Sequence, residues 1–197
     1  MNTPLRYQMT EYDCGPTSML NAIGYLFERE EIPPFLLHYI NMYCLDRINQ
    51  KEAVCRRGTS EFAMHFICEW MDDLGKQGVL PVSSKHIRFE DVNMNEEGEL
   101  MKCLKEGGVA VVKLFYEVRH YVLLCGIKDG KMLMFDPYYE TEPFKEEGAD
   151  IVLNSPCTHN RVVDPARFDN LHTELYSFGP IEERGAVLIR RIKDQAK

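Results

Sequence analysis

Two apolar runs joined by a Lys-Asp-Gly turn constrain this chain more than any other stretch of its sequence. His120 opens the run Tyr121–Val122–Leu123–Leu124–Cys125–Gly126–Ile127. Lys128–Asp129–Gly130 follows, and Lys131–Met132–Leu133–Met134–Phe135 then leads into Asp136–Pro137. An Asp-Gly turn between strand-length apolar runs is a strong β-hairpin signal. Its register decides which side chains meet, because a slip of one residue moves every side chain to the other face. A two-residue Asp-Gly turn pairs Lys128 with Lys131 and Leu123 with Asp136, which places His120 and Asp136 on opposite faces. A three-residue loop with Gly130 left-handed pairs Ile127 with Lys131 and sets Asp136 opposite Val122. Asp136 then shares a face with His120, one diagonal step of about 7–8 Å away and within side-chain reach. The three-residue loop, or an equivalent bulge, is the expectation. A plain two-residue turn without a bulge counts against the pairing.

The rest of the chain divides into helical patterns first and strand patterns second. Met19, Leu20, Ile23, Leu26 and Phe27 recur at helical spacing after Cys14, and Pro16 suits a first-turn position. Pro33–Pro34 ends that helix, and a second runs from Phe35 to Leu45. A third starts at an N-cap near Thr59 or Ser60, is expected to bury Phe62, Phe66, Ile67, Trp70 and Met71, and stops near Gly75–Gly78. Glu99 to Lys105 reads as a short helix stopped by Gly107–Gly108. Strands are expected over Val109–Phe115, His120–Ile127, Lys131–Phe135 and Ala186–Ile192, with a short helix from Asp164–Pro165 to about Leu171. This is an α+β layout: a helical N-terminal half packed on a C-terminal antiparallel sheet across one cleft. A chain of 197 residues is expected to form a single domain over 1–197.

Charge and cysteine usage exclude several classes. A net charge of −8 with scattered Lys and Arg argues against nucleic-acid binding; the densest basic group is Arg190–Arg191–Ile192–Lys193. Val109–Val112 and Tyr121–Ile127 are too short to span a bilayer, and the N-terminus has no apolar stretch behind a basic start. No membrane association is expected, and the location is expected to be cytoplasmic. Seven cysteines in an unsignalled chain favour reduced thiols. No Cys-x-x-Cys pair occurs, and Cys157–Thr158–His159 alone cannot supply a structural zinc site, so no metal is expected.

Among those thiols, Cys14 is distinguished by its place in Asp13–Cys14–Gly15–Pro16, a turn leading into a helix. A thiol there faces unpaired N–H groups and the positive end of the helix dipole, which favours the thiolate. Gly15 removes a side chain that would block a substrate carbonyl. Gln8, six residues upstream, can donate to a developing oxyanion beside the Cys14 N–H. Taken singly, Cys14 reads better as a small buried residue, Gln8 as a surface polar residue, His120 as a strand-end histidine and Asp136 as a turn former. Taken together, they read as a nucleophile, an oxyanion donor, a base and the group that orients the base.

Gln8 with Cys14–Gly15–Pro16, and His120–Tyr121–Val122–Leu123 with Gly126 and Asp136–Pro137, resemble the two signatures of the C39 peptidases. That family is the bacteriocin-processing branch of the papain-like clan. The matches cover residues 5–28 and 100–138. The resemblance implies a papain-like fold, a Cys14–His120–Asp136 triad with Gln8 in the oxyanion hole, and no cofactor. It also implies thiol-dependent hydrolysis of a peptide or amide bond. The same thiol could serve an acyltransferase, and the fold alone could serve an inactive peptide-binding module. The stretches near 30–80 and 139–185 look like elaborations on a minimal domain, so a double-glycine leader does not follow as substrate.

Overall fold

The computed structural model describes residues 3–46 and 58–192. Lys193, the last member of the basic group, lies outside the described residues, as does part of the 30–80 stretch. Among the described residues there are four helices: α1 Cys14–Leu26, α2 Pro34–Cys44, α3 Glu61–Lys76 and α4 Glu99–Lys105. Seven strands accompany them: β1 Val82–Arg88, β2 Val109–Tyr116, β3 Val118–Lys128, β4 Lys131–Phe135, β5 Ala149–Ile151, β6 Arg161–Val163 and β7 Gly185–Arg191. They form one antiparallel sheet in the order β1-β7-β2-β3-β4-β6-β5. The α+β layout is therefore as the sequence implied. Among the described residues no helix is long and apolar enough to cross a membrane.

β2 and β3 occupy the centre of the sheet and are covered on both faces, which is why they read as continuous apolar runs. Val109, Val111, Tyr121, Leu123, Phe135, Val187 and Ile189 face a core built with α1, α2 and α3. Ala110, Val112, Val122, Leu124, Met132, Met134 and Leu188 face the opposite core, closed by α4, Phe168, Tyr176 and Phe178. The alternation is the period of two that a pleated strand imposes. The Ser18 hydroxyl, fully buried, donates to the Tyr121 carbonyl at 3.0 Å and fixes α1 against β3.

The hairpin register departs from the expected three-residue loop. Asp129 and Gly130 both have positive φ (51° and 74°) and form a two-residue turn that pairs Lys128 with Lys131. The compensating irregularity lies higher up: Leu124 pairs with Met134 but Gly126 pairs with Leu133, so Cys125 is an extra residue. Gly126, at φ 147°, adopts a conformation open to glycine at little cost. Above this bulge Leu123 pairs with Phe135, and continuing that register sets Asp136 opposite Val122. The equivalent bulge, rather than the loop, puts His120 and Asp136 on one face.

Other expectations also need correction. α3 does start from Ser60, whose hydroxyl accepts the Ala63 N–H at 3.0 Å. It buries Ala63, Met64, Ile67, Cys68, Met71 and Leu74. Phe62 and Phe66 are exposed and Trp70 is only half-buried, because the stripe facing the sheet is rotated from the one the aromatics suggested. The helix expected after Asp164–Pro165 is a single 3-10 turn, Pro165–Arg167, capped by the Asp164 carboxylate. β1 was not anticipated from the sequence, nor were the two three-residue strands β5 and β6.

Candidate active site

Cys14 is the first residue of α1 and is buried. The turn before it is organised by Asp13, whose carboxylate accepts the backbone N–H groups of Met9 (3.0 Å) and Thr10 (2.7 Å). Partial burial works against that charge, but the Thr10 hydroxyl and these N–H groups outweigh it and hold the Asp13 carboxyl below its ordinary range. The chain ahead of the turn is pinned on both sides. Asn21 exchanges two hydrogen bonds with the Arg6 backbone, at 2.7 and 2.9 Å, and the Gln8 N–H donates to the Pro137 carbonyl at 2.8 Å. Gln8 thus lies between the Cys14 turn and the Asp136–Pro137 segment. Its side-chain Nε2 donates to the Thr10 carbonyl at 2.7 Å, and its Oε1 is buried without a hydrogen-bond partner.

His120 and Asp136 meet as the shared face requires. The imidazole Nε2 lies 2.7 Å from Asp136 Oδ1, with His120 buried and Asp136 fully enclosed. Burial pushes the imidazole towards its neutral form. The Asp136 charge and hydrogen bond, with a further hydrogen-bond and charge contribution from Cys14, overcome this and raise its proton affinity well above the ordinary value. Asp136 moves the other way: burial would raise its carboxyl, but the His120 charge and hydrogen bond, the Arg161 charge and the Tyr138 N–H hold it low. The Tyr116 ring lies 5.9 Å from the imidazole and 5.2 Å from the Tyr138 ring, forming an aromatic cover beside the pair.

Sequence reasoning did not identify the groups that surround Asp136. Asn160, buried, clamps its backbone by two reciprocal bonds of 2.7 Å, accepting the Asp136 N–H and donating to its carbonyl. The Tyr138 N–H donates to Oδ1 at 2.8 Å and the Tyr176 hydroxyl to Oδ2 at 2.9 Å. Arg161 reaches Tyr176 in turn. Apart from Tyr138, two residues on, they lie 24–40 positions from Asp136 along the chain, and no local spacing connects them to it. Asn160, Arg161 and Tyr176 all fall within 139–185, which read as an elaboration.

Cys14 opens onto a cavity of about 610 Å³ lined also by Tyr12, Thr59, Glu61, Lys113 and Tyr121. Glu61 is a second feature that sequence reasoning missed. Its carboxylate pairs with Lys113 and His86 and accepts the Tyr121 hydroxyl at 3.1 Å. Burial would raise that carboxyl, but the His86 hydrogen bond and the Lys113 charge bring it down to about 2. Lys113 thus balances Glu61 and Arg119 pairs with Glu183, while Glu11 and Glu182 leave the cavity wall net acidic beside the thiol. Among the described residues no group of His, Cys, Asp and Glu is arranged to hold a metal ion.

No family model matches the chain, and no curated protein does either. Similar solved structures exist at low identity. A double-glycine-motif protease from an AMS/PCAT transporter, in complex with the leader peptide, is 16% identical with a TM-score of 0.45; the match covers 94% of this chain and 89% of that one. The peptidase domain of Streptococcus mutans ComA is 14% identical with a TM-score of 0.41, covering 95% and 99%. Another Streptococcus ComA peptidase domain, from a bi-functional ABC transporter involved in quorum sensing, is 12% identical with a TM-score of 0.42, covering 94% and 96%.

Proposed function

We propose that this protein is a thiol-dependent hydrolase of peptide or amide bonds, with Cys14 as nucleophile, His120 as acid and base, and Asp136 orienting the imidazole. The observation that carries the reading is the 2.7 Å bond between His120 Nε2 and Asp136. It ties up one ring nitrogen and leaves Nδ1 for the thiol of Cys14, which stands at a helix start beside a substrate-sized cavity. In the first step the Cys14 proton passes to Nδ1, giving a thiolate nucleophile and an imidazolium that Asp136 stabilises. The thiolate adds to the carbonyl carbon, and the oxyanion takes up hydrogen bonds from the Cys14 N–H and the Gln8 amide. That amide has two N–H groups, and Thr10 uses one. As the C–N bond breaks, Nδ1–H protonates the leaving amine and a thioester remains. Water then attacks the thioester, giving its proton to Nδ1, and the acid leaves as the thiol is restored.

Iodoacetamide alkylation of each cysteine against pH, in wild type and His120→Ala, tests the assignment. Cys14 should react fastest at mildly acidic pH and lose that advantage in the variant. Equal behaviour of Cys14 and the other thiols would refute it. A peptide-library digest analysed by mass spectrometry then identifies the bond cleaved, with Cys14→Ala as the inactive control.

A further inference from the structure

The largest fully buried side chain among the described residues is a cation with no carboxylate directly bonded to it. Arg161, with no exposed surface, spends its guanidinium on neutral acceptors: Nε on the Tyr176 hydroxyl at 3.1 Å, Nη1 on the Asn160 carbonyl at 2.9 Å and Nη2 on the Tyr138 carbonyl at 3.1 Å. A buried cation without a directly paired anion is costly to desolvate. The anion nearest along this network is Asp136, reached through one intervening hydroxyl: Arg161 Nε donates to Tyr176, and Tyr176 donates to Asp136 Oδ2 at 2.9 Å. Tyr176 delivers that hydroxyl from a left-handed backbone (φ 62°), a conformation bulky residues disfavour, anchored by its N–H to the Phe115 carbonyl at 2.7 Å.

We propose that Arg161 and Tyr176 are positioning residues of the thiol site, in which the guanidinium, acting through the tyrosine hydroxyl, fixes Asp136 and balances its buried charge so that Cys14 persists as thiolate. This rests on the hydrolase reading above. The charged and titratable groups facing Asp136 are His120 with Cys14 behind it, Tyr116 from β2, Tyr138 after β4, Arg161 from β6 and Tyr176 ahead of β7, with the exposed Glu140 further out. Within that set Arg161 is the only fixed positive charge. With it, a Cys14 thiolate, a His120 imidazolium and an Asp136 carboxylate leave the site neutral. Without it the same three groups carry a net negative charge in a buried place and take up a proton more readily, at the thiolate first. Two of the three Arg161 bonds also hold the backbone at Asn160 and Tyr138, the two residues that fix the Asp136 backbone and Oδ1.

The test is the acid limb of Cys14 alkylation by iodoacetamide, followed by mass spectrometry in wild type, Tyr176→Phe, Arg161→Met and Arg161→Lys. Loss of the charge in Arg161→Met should move the limb to higher pH by on the order of one unit. Tyr176→Phe, nearly isosteric, should move it in the same direction by less. Arg161→Lys, which keeps the charge but not the fork, should leave the limb in place even where its rate falls. A limb that stays put in both Tyr176→Phe and Arg161→Met, whatever happens to the melting temperature, overturns the proposal and reduces both residues to scaffolding. Should the Arg161 variants fail to fold, the Tyr176→Phe limb decides alone. A wild-type Cys14 no more reactive than the other thiols would instead strike the hydrolase reading itself, so the two failures are distinguishable.

Discussion

Gly15→Ala isolates the packing that sets Cys14 in place. A Cβ on residue 15 would stand 2.1 Å from Thr59 Oγ1 and 2.7 Å from Thr59 Cβ, both far inside van der Waals contact. Thr59 is buried and β-branched, and these atoms lie close to its backbone, so no flexible tip can swing aside. Overpacking of this kind costs about 3 kcal/mol at the upper end of its usual range. Replacing glycine by alanine inside a helix returns about 1 kcal/mol. The net expectation is a loss of about 2 kcal/mol, or about 4–8 °C in melting temperature for a domain of this size. Thr59→Gly removes Oγ1, Cγ2 and Cβ, all three clashing atoms, and Oγ1 has no hydrogen-bond partner to lose. In that background Gly15→Ala should cost less than about 1 kcal/mol, a coupling of at least about 1 kcal/mol between two contacting residues. Chemical denaturation of the four proteins of the cycle, with Cys14 alkylation on each, measures both effects. Independent, additive losses would show that Gly15 is not there to admit Thr59, and that the close approach does not position Cys14.

Two further outcomes follow from the buried polar groups. Asp136, held below its ordinary value, contributes stability present above an unfolded carboxyl value of about 3.9 and lost as pH falls through its folded value. His120, held above its own, contributes stability present below about 6.5 and lost as pH rises through its folded value. Urea midpoints should therefore carry the pair's full contribution between about pH 4 and 6.5, and Asp136→Asn should flatten both flanks; unchanged flanks in the variant would place the titration elsewhere. Ser18→Ala removes the side-chain donor to the Tyr121 carbonyl, in a buried place, and should cost about 1–3 kcal/mol by equilibrium unfolding. A loss below about 0.5 kcal/mol would mean that α1 is held against β3 by apolar contact alone.

The parts of the fold legible in the sequence are those where burial on both faces or a strict period leaves a local trace. β2, β3 and β4 are covered on two sides and read as apolar runs; α4 is bounded by glycine at each end and reads to the residue. β1 escaped because Ser83, Ser84, Lys85 and His86 break its apolar character, and as the outer partner of β7 it buries little beyond Val82 and Ile87. The face of α3 was misjudged because large aromatics outweighed spacing: Ala63, Met64, Ile67, Cys68, Met71 and Leu74 form the inward stripe, while the Phe66 ring lies outward, tilted against Tyr43 at 5.0 Å. β5 and β6 are three residues each, shorter than any period can register. Gly15 was read as clearing the approach to a carbonyl, whereas the contact it makes possible is with Thr59.

The hairpin explains why the pairing of His120 with Asp136 could be reached from sequence: of the two expected routes, a three-residue loop or an equivalent bulge, the chain takes the bulge. Asp129–Gly130 favours the two-residue turn, and that turn alone would separate the pair onto opposite faces. The extra residue at Cys125 reverses the parity between the turn and the strand ends, so both local preferences are met: the tight turn below, the shared face above. The cost of the bulge is limited because Gly126 takes the unusual backbone angle and Cys125 keeps its side chain in the core facing α1. A chain selected only for hairpin stability has no use for that insertion. Its position, below the rung that carries Leu123 and Phe135, resets the register for every residue above it, and His120 and Asp136 are the polar side chains that the reset brings together.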